Sequence, residues 1–165
     1  MNWDAIGAVG EIVGAMAVVA SLIYLASQIK HQNSISLRDS RSKILDKWAI
    51  INMSQIENSG TAALMNKLKS SSPILTDEEK ISADGLAAMY LNVIGEINAS
   101  HEAGMLPGRF LNLHLDILSV NLGRYPGVHP FIEDYLEKVG IVQGIGPAFD
   151  RVFEDIARAN SANGT

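Results

Sequence analysis

Hydrophobic positions run almost without interruption from Ala5 to Ile29, where Glu11 is the one carboxylate and no basic side chain occurs. Neither the two-residue alternation of a half-buried strand nor the length of a buried one fits such a run, so it predicts a helix. Its 25 residues span about 37 Å at the helical rise, and the uncharged part from Ile12 to Ile29 about 27 Å, close to a hydrocarbon core of ~30 Å. The expectation is a membrane-spanning segment; the competing reading is an apolar core helix buried in a soluble protein. No Gly or Pro occurs from Ala15 to Ser59, so the helix is expected to continue as a stem, with Ile44, Trp48 and Ile51 forming an apolar face at i, i+4, i+7.

Beyond the stem the pattern keeps the helical period. "NSGT" is read as a break, with Thr61 capping a short helix that carries Leu64, Met65 and Leu68. "SSSP" is a loop. Thr76 followed by Glu79 is a capping box, opening a helix through Ile81, Leu86, Met89, Tyr90, Val93 and Ile97 that ends at Gly104. Pro107 opens the next helix, with Phe110, Leu111, Leu113, Leu115, Ile117 and Leu118. "NLGRYPGVHP" reads as a turn-rich link into "FIEDYLEK", and Pro147 opens a last helix with Phe149, Val152, Phe153 and Ile156 inside and Asp150, Arg151, Glu154 and Asp155 outside. The predicted fold class is all-α: a transmembrane anchor over 1–30, a helical stem over 31–58, a small cytoplasmic helical bundle over 59–160 and a flexible tail over 161–165.

Within the anchor, Gly7, Gly10, Gly14, Ala17 and Ser21 recur at alternating steps of three and four and form one stripe of small residues, with a GxxxG at Gly10 to Gly14. Such a stripe lets a second helix backbone come close. Glu11 lies about 80° from the centre of the stripe, away from the side occupied by Val9, Ile12, Val13, Met16 and Val19. An intramembrane acid points to a function by default. Three roles stay open for it: a hydrogen bond to a partner helix, a proton or cation path, or a carboxylate reaching the outer interface.

Charge orients the span. The formal net charge is -5, but it falls in blocks of -2 over residues 1–29, +3 over 30–47 and -6 over the remainder. Lys30, Arg38, Arg41, Lys43 and Lys47 crowd one end while no basic group stands at the other, so the positive-inside rule places the C-terminal region in the cytoplasm and the short N-terminus outside. Trp3, Lys30, Arg38 and Arg41 are the candidate interface residues. The lipid bilayer is the first expected partner, and itself or another membrane protein the second; an acidic chain with no extended basic face argues against nucleic acid. With no cysteine, thiolate chemistry and disulfides are absent. No HExxH, P-loop, dinucleotide fingerprint or GxSxG is present, and no cofactor is expected. In "GEINASHEAG", Asn98, His101 and Glu102 are read as sharing a face while Glu96 points elsewhere. His101 and Glu102, with His114 on the next helix, are the weak candidates for a metal or catalytic site, although the Glu-x-x-His of helical metal bundles is missing. His31 and His129 sit among polar residues.

The opening "MNWDAIGAVGEIVGAMAVVASLIYLASQIK" resembles the start of a family of short single-span bacterial membrane proteins of unknown function, which share an N-terminal tryptophan, acid, glycine and "YLA-Q-I" arrangement. A looser similarity extends to "GEINASHEAGML", with Ile97 standing between Glu96 and Asn98. The resemblance implies a bacterial inner-membrane protein with a helical cytoplasmic domain, and Glu11 as part of the anchor's design. The expected function is an anchored interaction or assembly module that packs through the small-residue stripe into a homo-oligomer or onto a larger membrane complex. An oligomeric ion- or proton-conducting element using Glu11 is the alternative, and an enzyme requires distant helices to assemble a site.

Overall fold

The structure, a computed structural model, describes residues 3–141 and 144–163. It is all-α, and no strand occurs among the described residues. Helix α1 runs from Trp3–Glu57 without interruption, as the absence of Gly and Pro after Gly14 predicts. It is followed by α2 (Ser59–Lys67), α3 (Asp77–Glu102), α4 (Gly108–Arg124), a 3-10 turn (Pro126–Val128), α5 (His129–Val139) and α6 (Pro147–Asn163). The chain divides into two compact units, Met1–Asp39 and Ser40–Thr165.

In the first unit every described side chain from Ile6 to Ile35 is exposed. The most apolar 18-residue window of α1 has a mean hydropathy of 2.1 and is 0% buried within the chain. The helix is therefore long and apolar enough to cross a membrane, and the reading as a buried core helix lacks the burial it requires.

The second unit is built around α3, which packs against α2, α4, α5 and α6. Its Tyr90, Val93, Ile94 and Ile97 are fully buried, as are Leu118 and Leu122 of α4, Ile132 of α5 and Val152 of α6. The second half of α1 joins this core through Ile44, Trp48 and Ile51, and the Trp48 and Tyr90 rings meet edge to face with centroids 6.1 Å apart. Such a pair adds roughly 0.5–1.5 kcal/mol beyond its buried area.

The helix ends follow local chemistry. At α3 the Glu79 amide donates to Thr76 Oγ1 and the Thr76 amide donates to Glu79 Oε2 at 2.9 Å, which completes the predicted capping box. Gly104, at φ +67, turns the chain out of α3. Five expectations are corrected. The short helix α2 is capped by Asn58, not Thr61: Asn58 Oδ1 accepts from the Gly60 and Thr61 amides, so the helix begins at Ser59 and absorbs Gly60. Ile81 and Leu113 are exposed, because each stands two residues, about 200° round the helix, from a buried one (Ala83 and Leu111) and so lies on the outward face. "NLGR" belongs to α4, and the link shrinks to Tyr125 and the 3-10 turn. Asp155 is buried, as described below. Helix α6 continues through Ser161, Ala162 and Asn163, which are helix and not tail; Gly164 and Thr165 lie outside the described residues.

Candidate functional site

In α1 the predicted stripe of Gly7, Gly10, Gly14, Ala17 and Ser21 is exposed along its length. A Cβ built on any of the three glycines meets nothing within 4 Å, so no packing inside the chain requires their smallness. The Ser21 hydroxyl donates to the Ala17 carbonyl at 2.8 Å within its own helix. The bond satisfies the hydroxyl donor of Ser21. Glu11 is exposed and has no hydrogen bond or ion pair within the chain among the described residues. Trp3, Lys30 and Arg38 are exposed as well.

The helical unit holds its polar groups differently. Asn98 shares its helix face with His101 and Glu102 as the spacing says, but it is buried, and its Oδ1 accepts from the Ala148 amide at 2.9 Å, while His101 and Glu102 are exposed at the end of α3. Both lie within about 60° of Asn98 round the helix, so the difference in burial comes with the last turn of α3, where His101 and Glu102 stand. Asn98 thus caps the start of α6, and the chain reaches it through Gly146 at φ +155, where a Cβ would fall 2.6 Å from Asn98 Nδ2. Glu96, on a neighbouring face, pairs with Lys47 at 3.3 Å, and Lys47 also donates to the Asn92 carbonyl. The "GEINASHEAG" segment therefore joins α3 to α1 and α6 and assembles no reactive group.

His114 is buried, its Nδ1 has no hydrogen-bond partner, and burial pushes its pKa below the ordinary histidine value. Among the described residues no group of three or more His, Asp or Glu converges, so His101, Glu102 and His114 form no metal constellation. His129, which stands among polar residues in the sequence, is buried. Its Nε2 lies 3.0 Å from the Leu122 carbonyl, which assigns the proton to Nε2. Burial lowers its pKa, opposed by the Leu122 bond and by Glu133 and Asp155. Asp155 lies between two arginines: Arg158 donates to its Oδ1 at 2.9 Å and Arg151 Nε stands 3.8 Å from Oδ2. A surface cleft of about 520 Å³ lies beside Pro73, Ile74 and Phe131, and Lys80 is its single ionisable lining residue. That lining offers no acid and base pair for catalysis.

At the start of α4, Arg41 and Arg109 both lie against Phe110. Their guanidinium carbons stand 3.5 Å and 4.7 Å from the ring centroid. Neither arginine has a carboxylate partner among the described residues, and Arg41 Nε is withdrawn from solvent without an acceptor. Spacing in the sequence gives no sign of this pair, since 68 positions separate its members. The nearby Ser40 hydroxyl is buried and donates to Met105 Sδ at 3.3 Å.

Comparison with known protein families, with curated proteins and with solved structures finds no match.

Proposed function

We propose that the protein is a membrane-anchored interaction module. In this reading the N-terminal part of α1 spans a bacterial inner membrane with its short N-terminus outside and the helical unit in the cytoplasm, and the small-residue stripe packs against a second helix. The observation that carries the proposal is the combination of a 0% buried apolar window with three glycines whose missing side chains nothing in the chain explains. In lipid, where apolar side chains gain nothing by leaving the acyl chains, close backbone approach is what favours helix association. Glu11 flanks the stripe and supplies a hydrogen-bonding group to the same contact. A second uncovered face supports the reading: Leu45, Met53 and Ile56 on α1 are exposed although the opposite side of that helix is core. The family resemblance of the first thirty residues is part of the proposal and points the same way.

The test is the mass of the detergent-solubilised full chain by light scattering, for the native protein and for Gly10→Leu with Gly14→Leu. A Cβ at either position meets nothing within the chain, so the substitutions are aimed at an intermolecular contact. A defined oligomer that becomes monomeric in the double variant supports self-assembly; a native monomer restricts the module to a heteromeric partner. The conducting alternative replaces the proposal if liposomes carrying the native chain pass ions and Glu11→Gln stops the current.

A further inference from the structure

We infer that Arg41 and Arg109, held on the Phe110 ring, form a site for a phosphate-bearing anion. In this acidic chain most basic groups of the helical unit have found an acid: Lys47 with Glu96, Lys67 with Glu79, Lys138 with Asp134, and Arg151 and Arg158 with Asp155. Arg41 and Arg109 instead share one aromatic ring, at 3.5 Å and 4.7 Å, with no carboxylate on either. Two like charges brought together without a counterion repel, and the cation–π attraction to one ring is divided between them. An anion between them removes the repulsion.

The geometry selects the kind of anion. A guanidinium packed on a ring is held flat, so its N–H donors leave along its edge in a fixed fork. Arg41 is half-buried with Nε turned into the protein, which leaves its terminal N–H groups as the available edge. Arg109 is exposed beside it. A phosphate, whose oxygens diverge from one centre, can accept from both forks at once. Arg41 also belongs to the basic block from Lys30 to Lys47 that follows the apolar run, the position in which basic groups meet anionic headgroups. A lipid as the source of the phosphate rests on the proposed anchoring; a free phosphate compound does not.

Native mass spectrometry of the full chain in neutral detergent, with equal amounts of phosphatidylglycerol and phosphatidylcholine, tests the lipid source. Thermal unfolding with millimolar inorganic phosphate and no lipid tests the soluble source. Arg41→Gln with Arg109→Gln is compared in both, its helix content checked by circular dichroism. Preferential retention of phosphatidylglycerol, falling roughly fivefold per arginine removed, assigns a lipid headgroup. Stabilisation by phosphate that the variant loses assigns a soluble ligand. Equal retention of both lipids together with no response to phosphate overturns the site. If the double variant unfolds, Arg109→Gln is used instead, since that side chain is exposed and its loss leaves the core intact. Flotation with phosphatidylcholine vesicles reads the anchor separately: a chain that floats without lipid selectivity or phosphate response sinks the site and keeps the anchor, and a chain that fails to float but responds to phosphate does the reverse.

Discussion

Asn98 of α3 holds the start of α6 in place: its Oδ1 takes the Ala148 amide at 2.9 Å, fifty positions later in the chain. That amide is among the first of α6, which has no intrahelical acceptor to offer it. Replacing Asn98 by Ala removes the acceptor and leaves a buried N–H unsatisfied, so Asn98→Ala is expected to lower unfolding free energy by about 1–3 kcal/mol. Urea titration followed by circular dichroism in detergent measures it. A loss below about 0.5 kcal/mol, the range of an ordinary surface change, would show that the Ala148 amide finds another acceptor. Gly127 is the second residue whose identity is set by contact: it is buried, its amide donates to the Leu68 carbonyl at 2.9 Å, and a Cβ there would stand 2.5 Å from the Ser70 carbonyl oxygen. Neither constraint shows in sequence, because both partners come from distant segments.

Helices were legible where their signals are local. The capping box at Thr76 and Glu79, the glycine stop at Gly104 and the long α1 follow from neighbours within four residues, and the structure has all three. Thr76→Ala tests the first. It removes the acceptor of the Glu79 amide but leaves the Glu79 carboxylate bonded to the residue-76 amide and to Lys67, so the expected cost is about 1 kcal/mol. The same urea titration reads it, and a change of several kcal/mol would mean that Thr76 does more than cap. Where a signal was ambiguous, the physical reason is competition between equivalent groups. Asn58 and Thr61 are both good caps three positions apart, and α2 starts at the earlier one because Asn58 Oδ1 satisfies the Gly60 and Thr61 amides, which offsets the cost of about 1 kcal/mol of Gly60 inside a helix. Asp155 was placed outside because it is charged. It sits inside because Arg151 and Arg158, four residues before and three after it, travel with it on the same helix face. The Arg41–Phe110–Arg109 cluster lay beyond such reasoning, since helix packing and not spacing brings it together.

At the scale of the molecule, the two buried histidines make the helical unit sensitive to mild acid. His114 and His129 stand on α4 and at the start of α5, and burial lowers the pKa of both below 6.5. In the unfolded chain each titrates at about 6.5, so the unfolded state binds protons first as pH falls. Stability is therefore full above about pH 6.5, declines as pH drops from there towards the folded-state values, and levels off below them. Each unit by which a pKa is lowered corresponds to about 1.4 kcal/mol. A separate, lower window belongs to Asp77 and Glu79, whose carboxyls are held below their usual values by Lys80 and Lys67 and whose contributions vanish only as those carboxyls protonate. The two windows can be told apart by substitution. His114 has no hydrogen bond to lose at Nδ1, so His114→Met keeps an apolar group of similar size in place and removes one proton-binding site. Melting temperatures of the full chain in detergent between about pH 8 and pH 5 should fall for the native protein and fall less for His114→Met. Equal slopes for the two would show that His114 reaches water in the folded state and that the acid sensitivity comes from elsewhere. The slope that persists in His114→Met is assigned to His129, whose Leu122 bond and nearby Glu133 and Asp155 partly offset its burial.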